Sequence, residues 1–503
     1  MSKQFPSLVI IVFDAARAQN FGCYGYNLET TPFLSSLTEK AAVYNNAICS
    51  SYWTLPSFAS LFTGTYVSRH GLIMDGHRLG SDLITMAEFL SGRGYDTAAF
   101  CHNPYVSDYT GLERGFNYFE KNIYRKYDKI IGQFNKIIKA ASSGKGSASS
   151  LQRTKNKTDA EGSSNNYDRK QWLKKCFIDK GAADMNRRAL DWLRNRINHD
   201  RPFFLILLYG ETHAPYCPPL PYRIKFLRGH GPVTRPLRKI NQERTPFNTG
   251  RITMNEMDIA GLKALYDGSI AYSDHCVKRF YKELERMGIL DNTIFAVTAD
   301  HGDNLGEHGL LSHVHCLYDT LVRIPLIIQW PRGTGLFGTQ DYIVQNIDIF
   351  PTMAGILGDE DRLNDQIEGK SLLSGRGKDR EDYAVSELLK PFGPDAMPYR
   401  EELQKYDRRL IAVRSRKYKF IWSSRGDHEL YNIANDPNEG NNLFGSRGEA
   451  DHSDAVRSLI EYSNSWVDRS NVLYEKLKDE IETQNAPGVD EDIKSKLKQL
   501  GYF

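Results

Sequence analysis

Short apolar runs punctuate the chain at residues 8–13, 44–48, 95–101, 203–209, 294–298 and 342–346, each bounded by polar or turn-forming residues. Between them lie stretches with apolar positions at helical spacing: 30–43 with Pro32 in the first turn, 84–90, 179–197, 254–287 and NIDIFPTMAGILG at 346–358. Strand and helix alternate, which predicts an α/β fold. After about residue 377 the pattern changes. AVRSRKYKFIWS, at 412–423, alternates as an antiparallel strand should, and 451–480 reads as one long helix. The expected organisation is a large domain over 1–376 and a smaller α+β domain over 377–503.

Residues 121–180 interrupt the large domain. The stretch KAASSGKGSASSLQRTKNKTDAEGSSNN is poor in apolar residues and rich in Ser, Gly and Lys, so about 140–167 is expected to be a flexible linker within an insertion. With 503 residues, 40% hydrophobic and 25% charged, the chain can bury a large core. A net charge of +3 and a pI near 8.3 are too close to balance to indicate nucleic acid or a membrane surface as partner. No apolar run is long enough to span a bilayer, and VIIVF ends in Asp14 without the cleavage site of a signal peptide. The seven cysteines, at 23, 49, 101, 176, 217, 276 and 316, form no CxxC pair and read as reduced, buried thiols of a cytoplasmic protein.

Chemistry concentrates at 293–313, TIFAVTADHGDNLGEHGLLSH. The apolar strand runs directly into Asp300, His301 and Gly302, placing a carboxylate and an imidazole at the carboxyl edge of a sheet, where open α/β folds keep their sites. Neighbouring residues on a strand point to opposite faces, so Asp300 and His301 can share an ion only if the chain bends there, which Gly302 permits. Glu307, His308 and His313 follow on a glycine-punctuated loop.

ADHGDNLGEHGLLSH, continued by LYDTLVRIPLII at 317–328, resembles the metal-binding segment of the sulfatase family within the alkaline phosphatase superfamily. The similarity runs in order from Ser7 to about Asn442, interrupted by the insertion, and ends in ELYNIANDPNEGNNL, which looks like the family's C-terminal hairpin. The fold it implies is a three-layer α/β/α sandwich around a large mixed, mostly parallel sheet. FDAARAQNFGCYGY resembles the family's opening motif, which makes Asp14 a metal ligand; Ala15 stands where many members have a second Asp. Arg17 either contacts substrate or anchors this loop.

SSYWTLPSFASLFTG, at 50–64, matches the nucleophile segment, where Cys-x-Pro-Ser-Arg opens a helix. Thr54 takes the cysteine position, Pro56 and Ser57 match, and Phe58 replaces the arginine. A helix amino terminus stabilises an anion, and a hydroxyl ligated there to a divalent metal loses its proton more readily than in water. The plain alternative is that Thr54 only caps its helix. Family sulfatases oxidise cysteine or serine to formylglycine; threonine is outside that chemistry, and an unmodified threonine is what phosphodiesterase and phosphotransferase branches of the superfamily use. HNPYVSDYTGLERGF replaces the Gly-Lys-Trp-His motif, leaving His102 or Asn103 to face substrate. In GETHAPYCPP the resemblance makes His213 the residue that protonates the leaving oxygen or binds a phosphoryl oxygen. At His313, where many members carry lysine, histidine can bind an anionic oxygen, donate a proton or ligate a second metal, whereas His315 reads as a loop residue and Asp274 as architectural.

The expectations are therefore one divalent site from Asp14, Thr54, Asp300 and His301, holding Mg, Mn, Ca or Zn. Thr54, His213 and His313 are the catalytic candidates; Asn103 and Arg17 are the candidates for binding substrate. The reaction expected is hydrolysis of a phosphate ester, a diester by preference, through a covalent Thr54 intermediate. Sulfate ester hydrolysis without formylglycine and a catalytically weakened binding protein are the alternatives. The substrate would be a small-molecule, glycan or lipid-type anionic ester, and the tail to Phe503 is placed to cover this site or a neighbour's, which admits a homo-oligomer.

Overall fold

β1 (Ser7–Phe13) is buried at every position, because it runs through the middle of the sheet with both faces covered. It pairs in parallel with β5 (Phe203–Tyr209) on one side and β6 (Thr293–Ala299) on the other. In this computed structural model, residues 5–101, 103–120, 180–196, 200–230, 240–333, 336–363, 365–373, 383–391, 399–445 and 454–483 are described. The insertion up to residue 179, its linker, His102, Cys176 and the tail beyond 483 lie outside the described residues.

With β2 (Ala42–Ile48), β3 (Asp96–Cys101), β4 (Tyr118–Phe119), β9 (Leu326–Gln329) and β10 (Gly338–Gln345), the eight-stranded order is β10-β2-β9-β6-β1-β5-β3-β4. Only β9 runs against its neighbours, so the sheet is mixed and mostly parallel, as expected. Its core joins Val9, Ile11, Leu205, Leu207, Phe295 and Val297 to residues of the flanking helices such as Leu265, Tyr266, Phe280 and Leu55. The register sets Phe13 opposite both Tyr209 and Ala299. The next residues, Asp14, Gly210 and Asp300, therefore emerge together at one edge.

Two boundaries differ from the sequence pattern. The helix expected over 30–43 stops at Leu37 (Pro32–Leu37), and Ala42 already pairs with Gly338 and Ile328. The β-branched and aromatic pair Val43–Tyr44 gains more from a sheet position than from continuing a helix. At the other end of that pairing, β10 starts at Gly338 rather than near Tyr342, with an irregular step between Gln340 and Ile343. The long helix Glu256–Arg286 is capped by Asn255, whose side chain accepts from Asp258 N at 2.9 Å. Asp274, on this helix, accepts from Phe33 N at 3.0 Å and Leu34 N at 2.9 Å and so serves the neighbouring helix's open end.

The smaller sheet is antiparallel, β11 (Ala384–Leu388), β12 (Leu410–Arg414), β13 (Lys419–Ser423) and β14 (Glu429–Tyr431), with helix Asp454–Thr483 against it. It is joined to the large sheet's edge by buried charge. Lys419 Nζ lies 2.9 Å from Asp319 Oδ1 and 2.7 Å from Glu439 Oε1, and Arg414 Nη2 lies 3.2 Å from Asp319 Oδ2. Asp319 opens the turn of helix Asp319–Val322, and Leu321 O accepts Gly302 N–H at 2.7 Å. A Cβ on Gly302 would stand 2.1 Å from Thr320 O, so this glycine is required by close backbone approach, not by a left-handed φ. Among the described residues no helix is long and apolar enough to cross a membrane.

Candidate active site

The strand register brings Asp14, Asp300 and His301 together. One ligand atom from each falls within 4.8 Å of the others, and all three side chains are buried. His301 Nε2 lies 3.8 Å from Asp14 Oδ1 and 3.4 Å from Asp300 Oδ2. Ala15 adopts a left-handed φ of 63°, which turns its N–H onto Asp300 Oδ1 at 3.1 Å. One oxygen of each carboxylate, Asp14 Oδ1 and Asp300 Oδ2, is buried without a hydrogen-bond partner among the described residues. Burial, and then the facing Asp300, raises Asp14 to about 8; burial raises Asp300 to about 7. Two carboxylates that leave water unpaired and face an imidazole form a donor set suited to a divalent cation.

Thr54 is the first residue of helix Thr54–Thr63, but the cap position is Trp53, whose side chain makes no capping bond. Its hydroxyl instead turns into the cluster: Oγ1 is 3.4 Å from His301 Nε2 and accepts from Asn103 Nδ2 at 3.3 Å. Asn103 Nδ2 also reaches Asp14 Oδ2 at 3.2 Å, bridging the nucleophile candidate to the carboxylate. Ser57, one turn on, donates to Asp300 O at 2.5 Å and ties the helix to the end of β6. Phe58 packs edge-on against Phe62 in the core, so the position of the family arginine has become a packing position.

Three histidines line the same space. His301 and His313 ring centroids are 4.4 Å apart, and His313 and His213 are 4.9 Å apart. In each, Nδ1 is turned outward: His301 to Gly302 O at 2.9 Å, His213 to Ala214 O at 2.6 Å and His313 to Asp303 Oδ1 at 3.2 Å. Burial holds all three well toward the neutral form, reinforced for His213 by His313 and Lys180, and for His313 by His301 and Arg244.

Other residues of the motifs are drawn elsewhere. Arg17 is buried against Asn20, Asp303 O and Glu307, with Nη1 3.2 Å from Glu307 Oε1, contacts that anchor its loop. Glu307 also takes Lys263 at 3.3 Å, His308 stacks on Tyr318 at 3.7 Å, and His315 stacks on Tyr406 at 4.2 Å. Conversely, the sequence pattern gave no sign of three groups at the site. Lys180, at the exit of the insertion, donates to His213 O; burial lowers it to about 8 against the pull of Glu211 and Asp14. Asp303 joins His313 to Tyr216, and the Arg244 charge acts on Asp303, His313 and His315. Asp303 lies inside the recognised motif, whereas Lys180 closes a low-complexity stretch and Arg244 carries no local signature.

A large mixed α/β sheet with a smaller antiparallel sheet beside it is a sulfatase-like fold, and the match to the family model makes the chain a hydrolase acting on sulfate or phosphate esters. The chain belongs to the Sulfatase family, whose model matches residues 6–359; the model for the C-terminal part of N-sulphoglucosamine sulphohydrolase matches 306–465. Among relatives, it is 27% identical to an arylsulfatase of Clostridium perfringens over 485 residues, spanning 90% of this chain and 93% of that one. It is 24% identical over 491 residues to the multifunctional alkaline phosphatase superfamily protein PehA of Trinickia caryophylli, spanning 90% and 93%. Among solved structures, the phosphonate monoester hydrolase of Agrobacterium radiobacter superposes with a TM-score of 0.65 at 19% identity, covering 93% of this chain and 96% of that one.

Proposed function

We propose that the chain hydrolyses a phosphate ester, a diester or a similarly substituted group, by attack of Thr54 Oγ1. The observation that carries this reading is the position of that hydroxyl. It is released from capping duty, buried, and held by Asn103 and His301 beside two carboxylates that each keep one buried oxygen unpaired. Asp14, Asp300, His301 and Thr54 would hold a divalent ion, Mg, Mn, Ca or Zn, which when bound supplies Lewis-acid chemistry and lowers the pKa of a hydroxyl. Asn103 orients Thr54 relative to Asp14. His213 bears on the leaving oxygen and His313 on the transferring group; Thr54 gives up its hydroxyl proton and bonds to phosphorus as the ester P–O bond breaks, that proton ending on the departing oxygen, and water then breaks the Thr54–phosphorus bond, returning a proton to Thr54. The substrate class is an anionic ester of a small molecule, glycan or lipid. The described cysteines are all free, which accords with a reducing compartment such as the cytoplasm.

Sulfate ester hydrolysis is the second reading, favoured by the arylsulfatase relative that aligns over nine-tenths of the chain. Paired aryl phosphodiester, phosphomonoester and sulfate substrates, each assayed with each metal, separate the two. Faster sulfate than phosphate turnover reverses the order, and no turnover with any metal leaves a binding protein.

A further inference from the structure

Asp303 is fully buried, and its carboxylate is shared between two segments. His313 Nδ1 lies 3.2 Å from Oδ1, and the Tyr216 hydroxyl donates to Oδ2 at 2.5 Å. Tyr216 belongs to the loop that carries His213, and its own peptide is pinned on both sides: Gln242 Oε1 accepts its N–H at 2.5 Å and Gln242 Nε2 donates to its carbonyl at 3.3 Å. Its ring packs edge-on to Tyr266 at 5.1 Å, and Tyr266 in turn accepts the N–H of Arg17 at 3.0 Å. Arg17 Nη1 reaches the backbone carbonyl of Asp303 at 3.3 Å. The carboxylate is thus held in place before anything binds.

As a carboxylate, with the Tyr216 hydroxyl donating to its Oδ2, Asp303 is only an acceptor, and the nitrogen facing it then carries the proton. That selects the Nδ1–H tautomer of His313; Ser312 Oγ, 3.4 Å from the same nitrogen, is a weaker competitor. Ring geometry then directs Nε2 away from Asp303, and the rings of His301 and His213 lie 4.4 and 4.9 Å from that of His313. We propose that Asp303 and Tyr216 are positioning residues that fix the tautomer and orientation of His313, so that its Nε2 bears on the transferring group. They act through His313 and couple the loops that carry His313 and His213. This rests on the reading above that His313 works on that group. Where lysine stands at this position no tautomer needs selecting; histidine makes the buried acceptor necessary.

The test compares Asp303→Asn, Tyr216→Phe and His313→Ala, each checked for folding by thermal melting and for metal content. In wild type, 15N-labelled His313 should show the Nδ1–H tautomer. In Asp303→Asn, whose amide can offer a donor instead, the Nε2–H form should appear, and kcat for the best aryl ester should fall by about 10²- to 10⁴-fold with KM nearly unchanged. Tyr216→Phe should reduce kcat by a smaller factor and leave the tautomer in place, while Asp303→Glu, which keeps an acceptor, should recover part of the rate. An unchanged tautomer in Asp303→Asn, or wild-type kcat in a variant that has lost it, overturns the inference. If His313→Ala itself turns over at the wild-type rate, the underlying reading of His313 fails and the inference with it; if only Asp303→Asn is fast, the inference fails alone.

Discussion

Thr54 Oγ1 lies 3.4 Å from His301 Nε2, although one residue opens a helix after β2 and the other follows β6. Replacing Thr54 by Ala removes the proposed attacking oxygen and leaves Asp14, Asp300 and His301 able to hold metal. Turnover should drop by several orders of magnitude, on the scale of about 10⁴- to 10⁶-fold seen for deleted nucleophiles, with folding retained. Mass spectrometry of acid-quenched wild-type enzyme should find a phosphoryl group on Thr54. Near-normal turnover by Thr54→Ala would assign the attack to water or another residue.

The two carboxylates make metal-free stability pH-dependent. Asp14 rises to about 8 and Asp300 to about 7, both well above an unfolded aspartate, chiefly through burial. The folded state therefore takes up protons, so this contribution is fully present below the unfolded pKa and is lost as pH rises through about 7 to 8. Melting of chelated protein should fall between mildly acidic and alkaline buffer, and fall less in Asp14→Asn. Added divalent ion should restore the alkaline melting temperature in wild type and do so much less in that variant. Equal pH slopes in the two proteins would count against the assignment.

His213 is expected to matter most when the leaving group is poor. An acidic phenol departs with little help, whereas an alcohol needs its oxygen protonated or held. His213→Ala should therefore steepen the dependence of log kcat on leaving-group pKa. A uniform loss across the series would indicate that His213 binds the phosphoryl group instead.

Lys180 holds the carbonyl of His213, and burial lowers it to about 8, so wild-type activity should decline as pH rises through that region. Lys180→Arg keeps its charge at every accessible pH and should shift or abolish that alkaline limb. Lys180→Met should lower kcat at neutral pH. An alkaline limb identical in wild type and Lys180→Arg would exclude Lys180 as its origin.

The smaller sheet acts on the site through Asp319. Lys419→Met leaves the Asp319 and Glu439 carboxylates buried without their shared cation, which should destabilise the fold by about 3–5 kcal/mol. Because Leu321 O holds Gly302 N at 2.7 Å, metal affinity should fall too. Denaturant unfolding and metal titration of the same preparation measure both effects. A loss of less than about 1 kcal/mol would mean that the network is replaceable.

Sequence alone determined what depends on local pattern. Apolar strands that end in Asp14 and Asp300 marked the edge of a sheet, and the order of motifs identified the family before any contact was known. Thr54 at a helix start and the long helix through Asp274 were likewise legible, because helix signals reside within a few residues. Tertiary structure decided the rest. The pairing of Arg17 with Glu307, whether the helix after Thr31 ran past Leu37, and whether Gly302 was needed for a bend or for Thr320 O all depended on partners far away in the chain. Lys180 and Asp303 entered the site because strand register and loop packing carried them there, and a charged side chain bears no mark of the buried partner it will meet. Periodicity records which face of an element is dry; it does not record which elements will share that face.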